Sequence, residues 1–486
     1  MERIRFVVSL AVSLTFAAGL AACGSSAPVG KQPFLDVPPA TTKAVCGPGS
    51  RPETGIQGRV SKADHNSGRA AQGYTCNTEL VGSYTIPNAV GTVAGFKVER
   101  YVDAAGHECA YYDTTLVYPL NVFDMEAGVN VMDMSDPSHP LLTERLTTPA
   151  MLTPHESVVV SQQRGVLAAV AGNPMTAPGI VDVYDISQDC RHPVLKSISA
   201  FGILGHESGM APDGRTFYSA SPATPTLAAI DISDLSQPRL LAVMPFYSHG
   251  LSVSPDGNRI YIAGIGISGS VLAYTDVGAV PDPGPDRALV IVDVSEIQAR
   301  AANPQPHEIA RLQWRPMSIP QNAIPITIQG KPYLVEIDEY GQQLEVGAGR
   351  IVDISDETRP KVISNLRLEV HEPENFAAQA QDPGANFQGQ GYAGHYCNVP
   401  TRVDPTIVAC SMILSGLRVF DIRDPYHPRE IAYFNAPINP RIVPVPTPAS
   451  NYAMSSPSFV PERHEIWYSD VYSGFYVVRL TNNVWP

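Results

Sequence analysis

Four histidines occupy equivalent places in segments of similar sequence, and imidazole is a good ligand for zinc, copper, iron and nickel. Two of them each lie eight residues before a turn glycine, which is Gly214 in one segment and Gly257 in the other. The other two hold the same place when longer turns are allowed for. The four are His155, His206, His249 and His395.

This set predicts a centre for one transition-metal ion, either iron, copper or zinc. An ion that keeps an open position polarises a substrate or bound oxygen, so the function predicted is that of a metal-dependent oxidoreductase or hydrolase acting on a small molecule. The equivalent places in three further segments hold other side chains, which are Asn322, Ser455 and approximately Val98.

Acidic residues are expected on the same face as the histidines. A carboxylate orients a ligating imidazole or acts as a general base on bound water. Two glutamates directly follow histidines, and other acids end strands that return to this face. The catalytic candidates are Glu207, Glu336, Asp338 and Asp470. The ligand-binding candidates are Asp113, Glu156, Asn322 and Ser455.

The same pattern has a structural interpretation. A polar residue that recurs in every unit can bond the backbone of the neighbouring unit around a wet channel. The protein would then be a non-catalytic scaffold or binding module that recognises a protein or a glycan. Metal analysis of the purified protein separates these two hypotheses.

A repeat positions the histidines. Segments such as Val181-Asp-Val-Tyr-Asp-Ile-Ser recur along the chain, and the last is a degenerate copy at Gly474–Thr481. Their marker aspartates are spaced by 52, 46, 62, 60 and 68 residues. A β-rich unit at this period predicts a propeller or a solenoid. The markers are Asp133, Asp185, Asp231, Asp293, Asp353 and Asp421.

Each unit predicts four strands and shows no helical period, which is typical of a propeller blade. After the seventh copy the chain ends at Pro486, too early for a fourth strand. The segment from Glu79 to Pro87 resembles the outer strands of the other units. We therefore predict an all-β, seven-bladed propeller of four-stranded blades that this N-terminal strand closes by completing the last blade.

The run Leu289-Val-Ile-Val-Asp293 resembles the signature of the LVIVD-repeat proteins, which are β-propellers of the bacterial and archaeal surface or periplasm. The resemblance implies the fold and an extracytoplasmic location, and implies no single reaction. The histidine arrangement is similar in geometry, without shared sequence motifs, to that of the carotenoid-cleaving oxygenases, in which histidines from different blades hold iron on the propeller axis.

The N-terminus predicts export. Arg3 and Arg5 precede an apolar stretch that ends Leu20-Ala-Ala-Cys23, typical of a secretory signal. The tetrapeptide resembles the lipobox of bacterial lipoproteins, whose cysteine is lipidated, and the alternative is an ordinary signal peptide. We expect a signal peptide at 1–22, a flexible tether at 23–73 and a propeller at 74–486.

Composition bounds the partners. Lys and Arg number 33 against 47 Asp and Glu, a net charge of −14, which disfavours nucleic acid as a partner. We expect a monomer in the periplasm or at the cell surface, bound to the membrane through its lipid and to a small molecule or an envelope ligand.

The cysteines agree with export. Six remain after Cys23, and an even set outside the cytoplasm indicates disulfides. Cys397 and Cys410 flank one turn and are expected to face each other. The remaining pairs are predicted as Cys46 with Cys76 and Cys109 with Cys190, one of several allowed connectivities.

Replacing Cys23 by Ser tests the lipid anchor. We expect the variant to leave the membrane fraction or to accumulate unprocessed, because serine cannot carry the thioether-linked lipid. Fractionation of cells followed by immunoblotting measures this outcome. An unchanged membrane fraction would rule out the lipobox.

Overall fold

The computed structural model describes eleven ranges of the chain. They are residues 29–31, 39–87, 93–114, 127–172, 178–265, 287–314, 317–339, 341–342, 345–385, 390–438 and 451–486. The expected signal peptide and Cys23 lie outside these ranges.

Seven antiparallel sheets succeed one another along the chain, as predicted. Blade 1 consists of Val98–Val102, Glu108–Asp113, Val129–Asp133 and Leu141–Leu146. Blade 2 consists of Val159–Ser161, Val166–Val170, Gly179–Asp185 and Val194–Ile203. Blade 3 consists of Ser208–Met210, Thr216–Ser219, Leu227–Asp231 and Arg239–Met244. Blade 4 consists of Gly250–Val253, Arg259–Ile265, Arg287–Asp293 and His307–Gln313.

Blade 5 consists of Ile319–Ile328, Lys331–Glu339, Gly349–Asp353 and Lys361–Asn365. Blade 6 consists of Gly394–Asn398, Ile407–Met412, Gly416–Asp421 and Arg429–Asn435. Blade 7 consists of Ser458–Val460, Glu465–Asp470, Gly474–Leu480 and the N-terminal strand Thr78–Tyr84. First strands of neighbouring blades contact one another around the ring.

The strand Thr78–Tyr84 has the features of an outer strand. It pairs antiparallel with Gly474–Leu480, and its register shifts between Leu80 and Gly82. In the other six blades the register between the third and fourth strands also shifts, twice in blade 2 and once in each of the remaining five. A β-bulge at this position strengthens the twist of the outer strand. The N-terminal strand therefore carries the same irregularity as the strands it was predicted to resemble.

The repeated sequence has a local physical cause. In blades 1 to 6 the marker aspartate ends the third strand, and its Oδ1 atom accepts a hydrogen bond of 2.8–3.1 Å from the backbone N–H two residues later. This turn, stabilised by the aspartate side chain, ends the strand and starts the return to the outer strand. The apolar residues before the aspartate are buried between adjacent sheets, as Leu289, Val290 and Ile291 are.

Short strands extend two other outer edges. Val29–Lys31 pairs parallel with the outer strand of blade 4, and Tyr74–Cys76 pairs antiparallel with that of blade 6. A two-stranded hairpin, Gly341–Gln342 with Glu345–Val346, projects from blade 5. Short α-helices occur at Lys62–Ser67, Pro149–Leu152, Ser295–Gln298 and Phe376–Gln379. Short 3₁₀ turns occur at Ala70–Gln72, Glu369–His371, Pro373–Asn375, Ile413–Ser415 and Pro461–Arg463.

Residues 39–73 differ from the tether expected there. Arg418 of blade 6 is fully buried and pairs with Glu53 as well as with Glu430 of its own blade. Arg59 pairs with Asp382 through its Nε and Nη2 atoms. These ion pairs fix the segment on blade 6, an attachment that its Gly- and Pro-rich composition did not indicate.

Three disulfides form as expected, joining Cys46 to Cys76, Cys109 to Cys190 and Cys397 to Cys410. Disulfides persist in oxidising compartments, so they indicate a location outside the cytoplasm. Among the described helices, none has the length and apolar character needed to cross a bilayer.

Truncation tests the closing strand. A protein that begins at Asn88 should self-associate or aggregate, because the edge of Gly474–Leu480 loses its partner. A protein that begins at Thr78 lacks the preceding segment and retains the strand, so it isolates the effect. Light scattering and thermal melts of the two measure the difference. Equal melting and equal monomer content would contradict the pairing.

Candidate metal centre

The structure brings the four histidines together on the axis. The ring centroids of His155 and His206 are 4.4 Å apart, and those of His206 and His249 are 4.8 Å apart. His395 joins them from blade 6, with Phe96 packed against both His155 and His395. The four residues lie at the starts of the first strands of blades 2, 3, 4 and 6. Residues up to 240 positions apart in sequence therefore share one small volume.

The local backbone allows this close approach. His155 has a φ of 51°, a left-handed conformation that is uncommon outside glycine. A side chain at Gly172 would collide with Pro154 O, the His155 Cβ atom and His206 O. Gly172 therefore leaves the space in which the segments that carry His155 and His206 meet.

Backbone carbonyls orient two of the rings. His249 Nδ1 lies 2.9 Å from Pro320 O, and His395 Nδ1 lies 2.7 Å from Met454 O. A carbonyl only accepts, so each Nδ1 carries the proton and donates. For a neutral ring this assigns the lone pair to Nε2, as in many metal-binding histidines.

Two carboxylates face the Nε2 atoms. Glu156 lies 3.1 Å from His395 Nε2, 3.5 Å from His206 Nε2 and 3.7 Å from His155 Nε2. Glu339 lies 3.1 Å from His395 Nε2 and 3.5 Å from His249 Nε2. Both carboxylates are buried. The cluster thus offers four imidazoles and two carboxylates.

These separations fit donors that share an ion in two overlapping groups, one of His155, Glu156 and His206 and the other of Glu156, His249 and Glu339. Nitrogen and oxygen ligands at about 2.0–2.2 Å from zinc are roughly 2.8–3.6 Å apart, depending on whether the geometry is octahedral or tetrahedral. The carboxylate-to-imidazole distances of 3.1–3.7 Å are close to this range. Within the described residues, neither His206 nitrogen nor His395 Nε2 has a hydrogen bond of normal geometry. Buried polar atoms in this state require a partner, and an ion supplies one.

Glu156 is held by neutral donors beneath the rings. Tyr396 donates a hydrogen bond of 2.9 Å to Glu156 Oε2, and Gln321 Nε2 donates to the same oxygen. Gln321 Nε2 also lies 2.8 Å from the Tyr396 hydroxyl. These contacts fix one carboxylate orientation.

A buried ion pair forms the next layer along the axis. Lys97 Nζ lies 2.8 Å from Glu207 Oε1, and the same oxygen accepts from Asn322 Nδ2 at 2.6 Å. The ammonium group also stands 4.2 Å from the centroid of the Tyr396 ring. Gly250 occupies the place of a larger residue in other blades, and a side chain there would overlap the Glu207 carboxylate.

The surroundings shift the pKa values of the histidines in different directions. Burial, reinforced by the neighbouring His155, holds the pKa of His206 well below its ordinary value. Burial also lowers the pKa of His155, although Glu156 opposes it. Burial opposes the charge on His395 as well, but Glu156 and Glu339 outweigh it and raise the pKa of His395 to about 10. Without an ion, His395 is therefore the cationic ring between the two carboxylates.

Several predicted residues lie outside this cluster. Glu336 and Asp338 both pair with Arg350 of the same blade. Asp338 also accepts from the Trp314 indole at 3.0 Å, and burial holds the pKa of Glu336 well above its ordinary value despite Arg350. Arg350 lies on the side of the strand to which both carboxylates point, where they were expected to face the histidines. Their contacts are therefore structural ion pairs.

The acids of blades 1 and 7 cap loops. Asp113 accepts from the N–H groups of Phe96 and Lys97, and burial raises its pKa to about 7. Asp470 accepts from the N–H groups of Tyr452, Tyr472 and Ser473. Ser455 bonds the backbone of Ser469 in its own blade. The structure places none of these three among the ligand atoms described above.

The sequence interpretation missed Glu339, Tyr396 and Gln321. Tyr396 follows His395 as Glu156 follows His155 and Glu207 follows His206, so the position after each histidine was an available signal. Glu339 is adjacent to Asp338 and faces the other side of the strand. Side chains alternate along an extended strand, so this orientation of Glu339 could have been predicted from that of its neighbour.

A second cluster of ligand types, Asp103, His107 and Asp189, is already saturated. Asp103 accepts from the backbone N–H groups of Ala105, His107 and Cys190 and pairs with the His107 ring. Asp189 forms a bidentate pair with Arg191. These contacts stabilise turns, so we assign no site there.

The fold and the cluster together define a seven-bladed β-propeller with a histidine and carboxylate centre on its axis. The LVIVD-repeat family model matches residues 122–148. The chain therefore carries a segment that matches the LVIVD repeat on a seven-bladed β-propeller, and the marker sequence recurs in the other blades. No protein of curated function matches the sequence.

Solved propellers show remote similarity. A putative 6-phosphogluconolactonase from Bacteroides fragilis is 11% identical over 81% of this chain and 87% of its own, with a TM-score of 0.44. The periplasmic gluconolactonase of Pseudomonas aeruginosa is 15% identical over 71% and 84%, with a TM-score of 0.45. A protein of unknown function from Desulfotomaculum acetoxidans is 10% identical over 73% and 91%, with a TM-score of 0.42. Similarities at this level do not bear on the activity.

Replacing Tyr396 by Phe tests the support of Glu156. The variant keeps the ring beneath Lys97 and removes one hydrogen bond to a buried carboxylate, so we expect a loss of about 1.5–3 kcal/mol in the free energy of unfolding. Tyr218→Phe is the matched control, because its buried hydroxyl has no hydrogen bond among the described residues. Denaturant melts of both variants measure the difference. Equal effects would contradict the role assigned to the Tyr396 hydroxyl.

Proposed function

We propose that this protein is a cell-envelope metalloprotein that holds one transition-metal ion on the propeller axis and uses it to act on a small molecule. The observation that carries the proposal is the convergence of four imidazoles from four blades with two buried carboxylates. Ligands contributed by separate rigid blades are preorganised, so ion binding requires little rearrangement of the backbone.

The donor set indicates which ions fit. The donors found among the described residues are four imidazoles and two carboxylates. They include no thiolate or thioether, which are the soft ligands that favour copper(I) and iron–sulfur clusters. Iron, zinc and copper(II) all accept imidazole with carboxylate. An ion bound here supplies Lewis acidity toward a coordinated oxygen.

The chain's own residues perform three tasks in this proposal. His249 and His395 present Nε2 because backbone carbonyls hold their Nδ1 atoms. Tyr396 and Gln321 position Glu156. A carboxylate beside a bound water removes its proton, which is the role of a general base. We also propose that a lipid on Cys23 holds this centre at the membrane.

Metal analysis of the purified protein tests the proposal. After removal of metal with a chelator, the wild type should take up about one iron or zinc ion per chain. The double variant His206→Ala with His249→Ala should lose most of this uptake and retain its circular dichroism spectrum, because both rings line the axis rather than a packed core. His192→Ala is the control, since that ring is exposed and pairs only distantly with Glu144.

The outcomes distinguish the two hypotheses. Stoichiometric uptake in the wild type and in the control, with loss in the double variant, supports the metal centre. A wild type that takes up no ion leaves the cluster as a hydrogen-bonded lining of the axis. The protein would then be a binding propeller that recognises a protein or a glycan.

A further inference from the structure

The two carboxylates of the metal centre are held differently. Glu156 Oε2 accepts hydrogen bonds from Tyr396 and from Gln321, which are neutral donors on separate blades. Among the described residues, the ion pairs of the Glu339 carboxylate are with the rings of His249 and His395. Those two rings are themselves candidate ligands. Once they bind an ion through Nε2, Glu339 loses the donors that now face it, whereas Glu156 keeps Tyr396 and Gln321.

The charges on the axis constrain what can replace Glu339. The Lys97–Glu207 pair is neutral as a unit, and neither Glu156 nor Glu339 pairs with a lysine or an arginine of the described residues. Two buried carboxylates and four neutral imidazoles balance one divalent cation. Burying an unbalanced charge costs several kcal/mol. The displaced Glu339 carboxylate stays in the buried site, so an anionic ligand that takes its place on the ion must deliver a proton to it.

We propose that Glu339 occupies the exchangeable position of the metal centre and that the small-molecule ligand is an anionic oxygen donor, such as a carboxylate, that takes its place. This inference rests on the proposed metal centre. Glu156 remains the fixed carboxylate. The ligand enters as its conjugate acid, its oxygen binds the ion, and its proton passes to the displaced Glu339 carboxylate, so the total charge in the buried site is unchanged.

Chemical rescue with acetate tests whether Glu339 is the exchangeable carboxylate and Glu156 the fixed one. Cobalt(II) is the probe metal, because its visible absorption spectrum changes with its ligands. Glu339→Ala removes the internal carboxylate, and added acetate should bind the cobalt protein at least about tenfold more tightly than it binds the wild type. Acetamide, which has the same shape and no charge, should produce no comparable spectral change. Glu156→Ala is the matched control and should show little rescue, because it also leaves the Tyr396 and Gln321 donors without their acceptor.

Each outcome decides the inference. Selective rescue of Glu339→Ala by acetate supports it. Equal acetate affinity in the wild type and Glu339→Ala, equal rescue of Glu156→Ala, or an equal response to acetamide overturns it. If Glu339→Ala does not fold, Glu339→Ser serves in its place, since it also removes the carboxylate and leaves room for acetate. A wild type that binds no cobalt(II) instead overturns the metal centre itself.

Discussion

The first strands of the blades pack around one axis, and this constraint determines most of what the site contains. Side chains at the starts of these strands are forced into a common volume whatever their sequence separation. Histidines at the starts of blades 2, 3, 4 and 6 therefore become neighbours, with ring centroids as close as 4.4 Å. The residues that follow them form the layer beneath, where Glu156, Glu207 and Tyr396 meet. A ring that did not close would lose this geometry, because each inner strand is positioned by the blades on both sides.

Burial at the axis gives the polar groups their properties. Charged groups in such a place need partners, and the structure provides a lysine for Glu207 but only imidazoles and neutral donors for Glu156 and Glu339. The same burial keeps His155 and His206 uncharged, while two carboxylates hold the pKa of His395 at about 10. In the proposed centre a bound cation takes the place of the His395 proton between the two carboxylates, and the imidazole nitrogens favour a transition metal over calcium or magnesium.

The periphery supports this centre from outside. The segment 39–73, fixed by Arg418 and Arg59, lies against blade 6 and contacts Glu369, Asp382 and Tyr392, which precede the strand that carries His395. Arg350 performs a comparable task in blade 5, where its pair with Asp338 and the hydrogen bond from Ser318 to Glu339 O hold the end of the strand that presents Glu339. Buried ion pairs of this kind define one geometry even where their net contribution to stability is small.

The sequence by itself determined the fold, because the repeat is a local property. The apolar run and the aspartate that ends it encode one strand and one turn in every blade, and the equivalent histidines could be found by aligning those turns. The disulfide pairs and the closing strand were also predicted from the chain. Only the tertiary structure decided which carboxylates face the histidines. Asp338 and Glu339 are neighbours on one strand and face opposite sides of it, so Arg350 pairs with the first and the histidines face the second. Pairings across blades, such as Tyr396 with Glu156 over 240 residues, depend on the ring and leave no mark in any local stretch of sequence.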